Sequence, residues 1–375
     1  MKRWLQDILT CPVCGNNLSI EVFEGSDTEI SEGILLCQCE RWYPIIDDIP
    51  RMLWGAHRGD YTEFISRHKQ LITKYPSVDD AQQTTTSKQV RKTYLTIWDK
   101  FPDFGINDEG KQAFYDKWMA QKLGLGSTDE LYSFFSSKKV ILEIGVGSGQ
   151  KLKMMAEHTD GKLVGIDLTS SVEHAFKNTR EMANVAVIQA DLFALPFKKE
   201  SFDFIISDGV LHHTPDTRQA FLSIAPFLAK AGEIAIRVYR KSGPIREFCD
   251  DFIRSYTTKM SETECWEFCE KMARLGESLA RTGYQIQIPE DVELLGFKKG
   301  SYDLQRFIYY NVFKCFYNEA FTFEENTLVN FDWYRPSDAH RHTEEQVRQW
   351  FIEAGLSEIQ VFNPESGISA RGRRR

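Results

Sequence analysis

The sequence predicts an α/β fold: a doubly wound, mostly parallel sheet, with a small cysteine module ahead of it and a helical insertion within it. Three observations carry that prediction. Apolar stretches that read as strands at 140–144, 163–167, 185–190, 202–207 and 233–239 alternate with helical patterns near 150–158, 171–182 and 217–229. Such strand–helix alternation with buried strands makes a parallel sheet covered on both faces. A glycine triplet (Gly145, Gly147 and Gly149) follows the first strand and opens a helical pattern. Glu143, Asp167 and Asp191 stand at the ends of the first three strands at equal intervals of 24 residues, so the strand ends share one chemistry.

Length and composition narrow the class. The 375 residues suffice for two or three domains with a full-size core. A net charge of −8 argues against a general nucleic-acid binder, which carries a basic excess. No apolar run nears the ~18–20 residues of a membrane span, so no membrane partner is expected. The opening MKRWLQDILTCPVCG lacks the apolar stretch of a secretory signal. Of the eight cysteines, four form two close pairs near the N-terminus and four are scattered, which suits thiols in a reducing, cytoplasmic setting. Aromatic residues crowd after position 300, which suits either a helical core or an apolar, ring-shaped site.

Cys11-Pro-Val-Cys14 and Cys37-Gln-Cys39 place four thiolates as two close pairs on tight turns, the donor set of a tetrahedral zinc ion. A redox role would use only the first pair, and no βαβ pattern surrounds it; buried free thiols are the remaining alternative. After the second pair comes Arg41-Trp-Tyr-Pro-Ile-Ile-Asp-Asp-Ile-Pro50-Arg-Met-Leu53. CPVC followed by LLCxCxRWYPIIDDIPRML resembles the zinc-ribbon family of the small activator of tRNA and protein methyltransferases, over about residues 8–54. The second pair is CxC where that family has CxxC. The resemblance implies a ribbon, residues 1–56, that braces a catalytic partner, here in the same chain, or presents a substrate; a plain folding cap is the alternative.

Residues 57–87 read as a polar linker, with Pro76 to Ser87 as a connector free of apolar anchors. Two helical patterns precede the first sheet strand. Val90, Tyr94, Ile97 and Trp98 share one face, and so do Phe114, Trp118 and Met119. Helices so placed either lie over what the strand ends hold or simply pack on the sheet.

A buried strand, a glycine turn and a helix N-terminus hold a nucleotide-like ligand against backbone N–H groups. Position 150, where the dinucleotide pattern GxGxxG has its last glycine, is Gln150, and no Gly-Lys-Ser/Thr of a P-loop follows. Glu143 would repel a phosphate and attract the cationic amino-acid end of S-adenosylmethionine (SAM). Asp167 is placed to accept from both ribose hydroxyls, and Asp191, in Ala-Asp-Leu192, to meet the adenine amino group. The motifs ExGxGxG, GIDLTSS, QADLFALPF and FDFIISDGVLHHTPD resemble the class I SAM-dependent methyltransferases, in particular the ubiquinone-biosynthesis and small-molecule subgroup. The match spans about 139–240 and resumes at 336–363. It implies a Rossmann-like sheet of seven strands. It also implies that Gly145, Gly147 and Gly149 frame the methionine end of SAM, that Asp167 holds the ribose, and that Asp191 with Leu192 holds the adenine. Asp208, at the end of the fourth strand, joins the cofactor residues.

Ser207-Asp-Gly-Val-Leu-His-His-Thr-Pro-Asp216 stands where donor and acceptor meet. Enzymes that methylate base or glutamine nitrogens carry Asn/Asp-Pro-Pro-Tyr/Phe here; its absence favours an oxygen or carbon acceptor. His212 or His213 suits proton removal from a hydroxyl, or else packs as a scaffold element. Residues 243–335 read as a helical lid insertion, with Cys265 and Cys269 as buried thiols. Asn330 to Thr343 reads as a loop ahead of a helix whose capping box is Thr343-Glu-Glu-Gln346. In that loop Trp333, Tyr334 and His340 are candidate acceptor contacts and His342 a third candidate base, with loop stabilisation the alternative for the two histidines. The core comprises 88–242 and 336–366, and 367–375 reads as a basic, solvated tail. The expected activity is methyl transfer to oxygen or carbon of a small-molecule or glycan-like acceptor. The alternatives are an RNA acceptor recruited by ribbon and tail, and a non-catalytic SAM-binding scaffold. No signal for an oligomeric state is present.

Overall fold

The first fifty residues form an antiparallel sheet in the order β1 (Leu18–Gly25), β2 (Ile30–Cys37), β3 (Trp42–Ile46) and β4 (Ile49–Pro50). Ile46 pairs with Ile49 across Asp47 and Asp48, both at positive φ (49° and 67°). That is the two-residue hairpin geometry that short polar side chains tolerate. The computed structural model describes residues 1–55, 59–72, 87–106, 109–363 and 367–375. It comprises two units, Met1–Tyr239 with His342–Arg375, and Arg240–Arg341.

In the first unit the ribbon shares its core with the large sheet. Leu5, Leu9, Tyr43 and Met52 belong to the same apolar cluster as Ile166, Ile188 and Phe197. Backbone bonds stitch the two together: Met52 N–H donates to the Gln189 carbonyl (2.8 Å), Thr10 to Pro196 (2.9 Å) and Lys198 to Ile8 (2.8 Å). The ribbon thus braces the sheet in cis.

Part of the expected linker is helical. α1 (Thr62–Arg67) and α2 (Lys69–Ile72) bury Phe64 and Ile72 against Ile34 and Trp42 of the ribbon. Arg67 and His68 both pair with the buried Glu32 at 3.0 Å. Three well-spaced apolar residues (Tyr61, Phe64 and Ile72) suffice for this docking, which a polar composition hid. The connector expected at Pro76 to Ser87 lies, except for Ser87, outside the described residues. Ser87 caps α3 (Lys88–Lys100) by accepting from the Val90 N–H. α4 (Glu109–Lys122) and α5 (Thr128–Ser136) lead to the sheet.

The sheet follows the expected alternation: β5 (Val140–Ile144), α6 (Gln150–Ala156), β6 (Lys162–Asp167), α7 (Val172–Thr179), β7 (Val185–Gln189), β8 (Phe202–Asp208), α8 (Thr217–Ile224) and β9 (Leu228–Arg240). β5 to β9 pair in parallel in the order β9-β8-β5-β6-β7. Strand centres such as Ile141, Leu142, Val164, Ile188 and Ile205 are fully buried, as a sheet covered on both faces requires.

The second unit holds α9 (Pro244–Thr257), α10 (Glu262–Arg281), the hairpin β10 (Gln285–Ile288) and β11 (Gly300–Asp303), α11 (Leu304–Asn311) and α12 (Phe323–Tyr334). Cys265 and Cys269 are buried thiols. α12 corrects one expectation: residues up to 334 are helix, not loop. Thr322 and Glu325 form a reciprocal capping box that starts the helix, and Pro336 lies just beyond its end.

The chain then runs through β12 (Arg341–His342), α13 (Glu344–Glu353, capped by Thr343), β13 (Leu356–Phe362) and β14 (Ile368–Arg374). β14 corrects a second expectation. The basic tail is the sheet's penultimate strand, inserted antiparallel between β13 and β9. Its arginines stand against acids of neighbouring segments: Arg374 pairs with Glu200 at 2.6 Å, and Arg371 lies 3.7 Å from Glu233. The sheet has eight strands where seven were expected: seven run in the order β13-β14-β9-β8-β5-β6-β7, and the two-residue β12 pairs with β9 off that path. Among the described residues no helix is long and apolar enough to cross a membrane.

Candidate functional site

In the ribbon, the Sγ atoms of Cys11, Cys14, Cys37 and Cys39 all lie within 4.8 Å of one another, with Cys11–Cys39 at 3.7 Å and Cys14–Cys37 at 3.3 Å. Four soft thiolates converging at these spacings fit tetrahedral zinc. Each pair rides a left-handed turn. Gly15 (φ 74°) donates its N–H to the Cys11 carbonyl, and Glu40 (φ 66°) donates to Cys37. The turn at Glu40 brings the shorter CxC pair into register.

The glycine turn lies between β5 and α6. The N–H groups of Gly145 and Val146 both donate to the Ile166 carbonyl (2.8 and 2.9 Å), which ties the turn to β6. Gly145, Gly147 and Gly149 have φ of 77°, 52° and 86°, conformations that disfavour a side chain. A Cβ on Gly147 would come within 2.5 Å of the Trp98 ring, and one on Gly145 would overlap Val210.

The carboxylates stand around this turn. Glu143 is fully buried, its two oxygens make no hydrogen bond, and Lys151 Nζ lies 3.5 Å away. Burial pushes its carboxyl up to about 7, against the pull of Lys151. Asp167 accepts from the Gly147 N–H (3.3 Å) and from the Thr169 N–H and hydroxyl (2.9 and 2.8 Å). Burial raises its pKa and these bonds oppose the rise. Asp191 caps the short turn Leu192–Ala194 by accepting from the Phe193 N–H.

α3 crosses these strand ends on one face. Trp98 lies on Gly147, Tyr94 packs on His213 (ring centroids 5.1 Å apart), and the charge of Asp191 acts on Arg91. Asn178 Nδ2 donates to the Ser148 and Pro102 carbonyls (2.9 and 2.8 Å), joining the turn to the segment that follows α3.

Asp208, expected among the cofactor residues, stands at the end of β8. It is committed to a buried ion cluster, accepting from Lys122 Nζ and Arg237 Nε, both at 2.6 Å. These two cations hold its carboxyl far below the usual range despite burial. Neither cation was singled out from the sequence: Lys122 reads as the polar end of an amphipathic helix, and Arg237 interrupts an apolar strand.

His212 and His213 are buried together beside Tyr239 (3.7 and 5.3 Å between ring centroids). His342 is held by Thr217, Nε2 to Oγ1 3.0 Å, and by the edge of Trp350. In the second unit, Trp333 and Tyr334 occupy the last turn of α12 and are buried, which corrects their placement in a loop. The Tyr334 hydroxyl donates to the Lys314 carbonyl (2.7 Å), and Trp333 lies between Arg246 and Lys314. His340 is half-buried just ahead of β12.

Residues 142–236, which hold the glycine turn and all four strand-end acids, match the methyltransferase domain family. The chain carries a methyltransferase domain. Ahead of this domain, residues 2–48 match the Trm112p-like protein family, which covers the four cysteines. The chain is 31% identical over 119 residues to the tRNA U34 carboxymethyltransferase of Aliarcobacter butzleri (31% of this chain, 39% of that protein). It is 29% identical over 114 residues to phosphoethanolamine N-methyltransferase 2 of Caenorhabditis elegans (28% and 25%). It is 33% identical over 109 residues to the mitochondrial arginine-hydroxylase NDUFAF5 of Mus musculus (28% and 31%). The alignments thus span a quarter to two-fifths of these relatives.

Proposed function

We propose that the chain is a class I methyltransferase that moves the methyl group of SAM to an oxygen or carbon of a small-molecule or glycan-like acceptor. The observation that carries the SAM reading is Glu143, a fully buried carboxylate with no hydrogen-bond donor, beside a glycine turn. A buried acceptor pair left without a donor is costly. The ammonium of the SAM amino-acid end supplies one. Asp167 then takes the ribose hydroxyls, and Asp191 with Leu192 the adenine. SAM brings the methyl group on a sulfonium, a good leaving group. The protein's task is to bring the attacking atom into line and exclude water.

His213, buried against Tyr94 at the end of the fourth strand, is the best placed of the three histidines to take a hydroxyl proton. His212 packs against Tyr239 with its ring tilted, and His342 supports α8 through Thr217. Trp333, Tyr334 and His340 belong to the helical unit 240–341 and remain candidate acceptor contacts.

A second reading, an RNA acceptor, is favoured by the Trm112p-like module and by the tRNA-modifying relative. It loses the support of the basic tail, whose arginines are paired within the sheet. Calorimetry with S-adenosylhomocysteine (SAH) tests the cofactor, and labelled SAM against hydroxylated metabolites and bulk tRNA tests the acceptor. No binding of SAH sinks the reading; label in tRNA alone reverses the ranking. SAH binding without turnover on any acceptor leaves a SAM-binding scaffold.

A further inference from the structure

In the second unit, α9 is built inside out. Its buried residues are polar: Arg246, Asp250, Arg254 and Thr257. Its most exposed residues are aromatic: Phe248 is 72% exposed, and Phe252 and Tyr256 are each 59% exposed. At about 100° per residue, Ile245, Phe248, Phe252 and Tyr256 fall within about 80° of arc, and the four buried polar residues fall on the opposite side. A helix packed on a globular core shows the reverse pattern.

The polar side is bonded within its own unit, and this fixes the roll of the helix. Arg246 pairs with Asp250 and donates to the Tyr309 carbonyl. Arg254 donates to the carbonyls of Trp333 and Pro336, the latter at 2.7 Å, and the Thr257 hydroxyl donates to that of Tyr334 (2.8 Å). Rolling the aromatic face inward would break all of these bonds, at the cost that orphaned polar groups carry. The aromatic face is therefore held outward. Leu294, 86% exposed, stands beside the N-terminal end of α9, where a Cβ on Gly243 would come within 3.3 Å of the Leu295 carbonyl.

Charge frames the stripe. Exposed lysines stand at both ends, Lys241 ahead of the helix and Lys259 in the turn beyond it. The acids that border it, Glu247 and Asp251, are both paired with Arg341. The loop that carries Leu294 is balanced, with Lys298 and Lys299 against Asp291 and Glu293.

We propose that this face of α9 docks on a phospholipid surface. Phe248, Phe252 and Tyr256 enter the boundary between headgroups and acyl chains, and Lys241 and Lys259 meet the phosphates. A helix that is apolar on its outer side lies in the plane of such a surface, so the lack of a membrane-spanning run does not bear on it. Aromatic rings suit that boundary, and the lysine stems let the ammonium groups reach outward. The rival occupant is a second copy of the chain. The stripe is one helix wide and involves a handful of residues, whereas a stable protein interface takes about 20–30 residues a side. A lipid surface needs no matching partner surface. The inference does not depend on the methyltransferase reading.

The test floats the full chain with vesicles of phosphatidylcholine alone and of phosphatidylcholine mixed with phosphatidylserine; analytical ultracentrifugation reads self-association. The variants are Phe248→Ser/Phe252→Ser and Lys241→Gln/Lys259→Gln. All four side chains are exposed, so the fold should stand, and circular dichroism checks it. The wild type should bind both vesicles, more tightly where phosphatidylserine is present. The double serine variant should lose at least tenfold in partitioning to both. The double glutamine variant should lose the preference for phosphatidylserine and still bind phosphatidylcholine. A wild type that binds neither vesicle overturns the proposal, and so does a double serine variant that binds as well as the wild type. A wild-type dimer that becomes a monomer in the double serine variant, without vesicle binding, overturns it in favour of a second copy.

Discussion

Replacing Glu143 with Gln should make the ligand-free protein more stable and the cofactor weaker, and the two effects should differ in their pH dependence. Glu143 is fully buried and its carboxyl is pushed from 4.5 to about 7. Because the folded state holds this proton more tightly than the unfolded one, the group costs nothing below about pH 4.5. The cost grows as pH rises through that window and is complete above about 7. The rise from 4.5 to about 7, at about 1.4 kcal/mol per pH unit, sets a ceiling of about 3–4 kcal/mol. The buried amide of the variant also lacks partners, so the gain falls below that ceiling. The assay is thermal unfolding of wild type and Glu143→Gln at pH 5 and pH 8. Little difference is expected at pH 5, and at pH 8 a gain of roughly 3–8 °C for a unit of this size. SAH affinity should fall by about 10- to 100-fold, the worth of one charge-assisted hydrogen bond at about 1.5–3 kcal/mol. A stability difference that is flat from pH 5 to 8, with SAH binding unchanged, would refute both the buried-charge account and the placing of the ligand's ammonium at Glu143.

Chelating zinc should lower the melting temperature of the methyltransferase domain itself, because Leu9, Tyr43 and Met52 of the ribbon share its core; calorimetry should show one shifted transition, and metal analysis about one zinc per chain. Gly147→Ala forces a side chain into positive φ and against the Trp98 ring, so a loss of about 1–3 kcal/mol in chemical denaturation is expected, together with weaker SAH binding. Deleting residues 367–375 removes the strand between β13 and β9, so the truncated protein should be insoluble or molten by circular dichroism. A folded truncation that had lost only affinity for RNA would restore the tail reading.

The parallel strands could be read from the sequence because they are buried on both faces and therefore uniformly apolar, as in Val185–Gln189. The strand-end acids could be read because the βαβ unit repeats at nearly constant length. β14 could not. Its sequence, ISARGRR, looks solvated, and the acids that neutralise it, Glu233 and Glu200, lie more than a hundred residues away. The same non-locality hid the Lys122–Asp208–Arg237 cluster, which only the closing of the sheet assembles. α12 is a different case. Its start carries a local signal, the Thr322–Glu325 capping box, but its end does not: the residues from Asn330 to Thr343, expected as a loop, are rich in side chains that serve a loop and a helix end equally well. The histidines and aromatics there are as useful for packing around buried cations as for binding a substrate.

Taken together, Glu143 and Lys122 are shifted in opposite directions at one set of strand ends. Glu143, with Lys151 3.5 Å away, holds its proton tightly because it is buried; Lys122, which shares Asp208 with Arg237, holds its proton loosely for the same reason. A zwitterionic amino-acid group would bring an ammonium to Glu143 and, if it reaches that far, a carboxylate to Lys122. Proton exchange on binding separates the cases. When the ammonium of SAH reaches Glu143, its pKa must fall, so binding near pH 6–7 should release up to one proton. Calorimetry in buffers of different ionisation enthalpy reads this directly, and Glu143→Gln should abolish it. If the SAH carboxylate also reaches Lys122, that side chain takes up a proton, and net release should shrink or reverse as pH rises above 7. If it does not, SAH binding shows release only. The absence of proton exchange at every pH would mean that neither buried group meets the ligand.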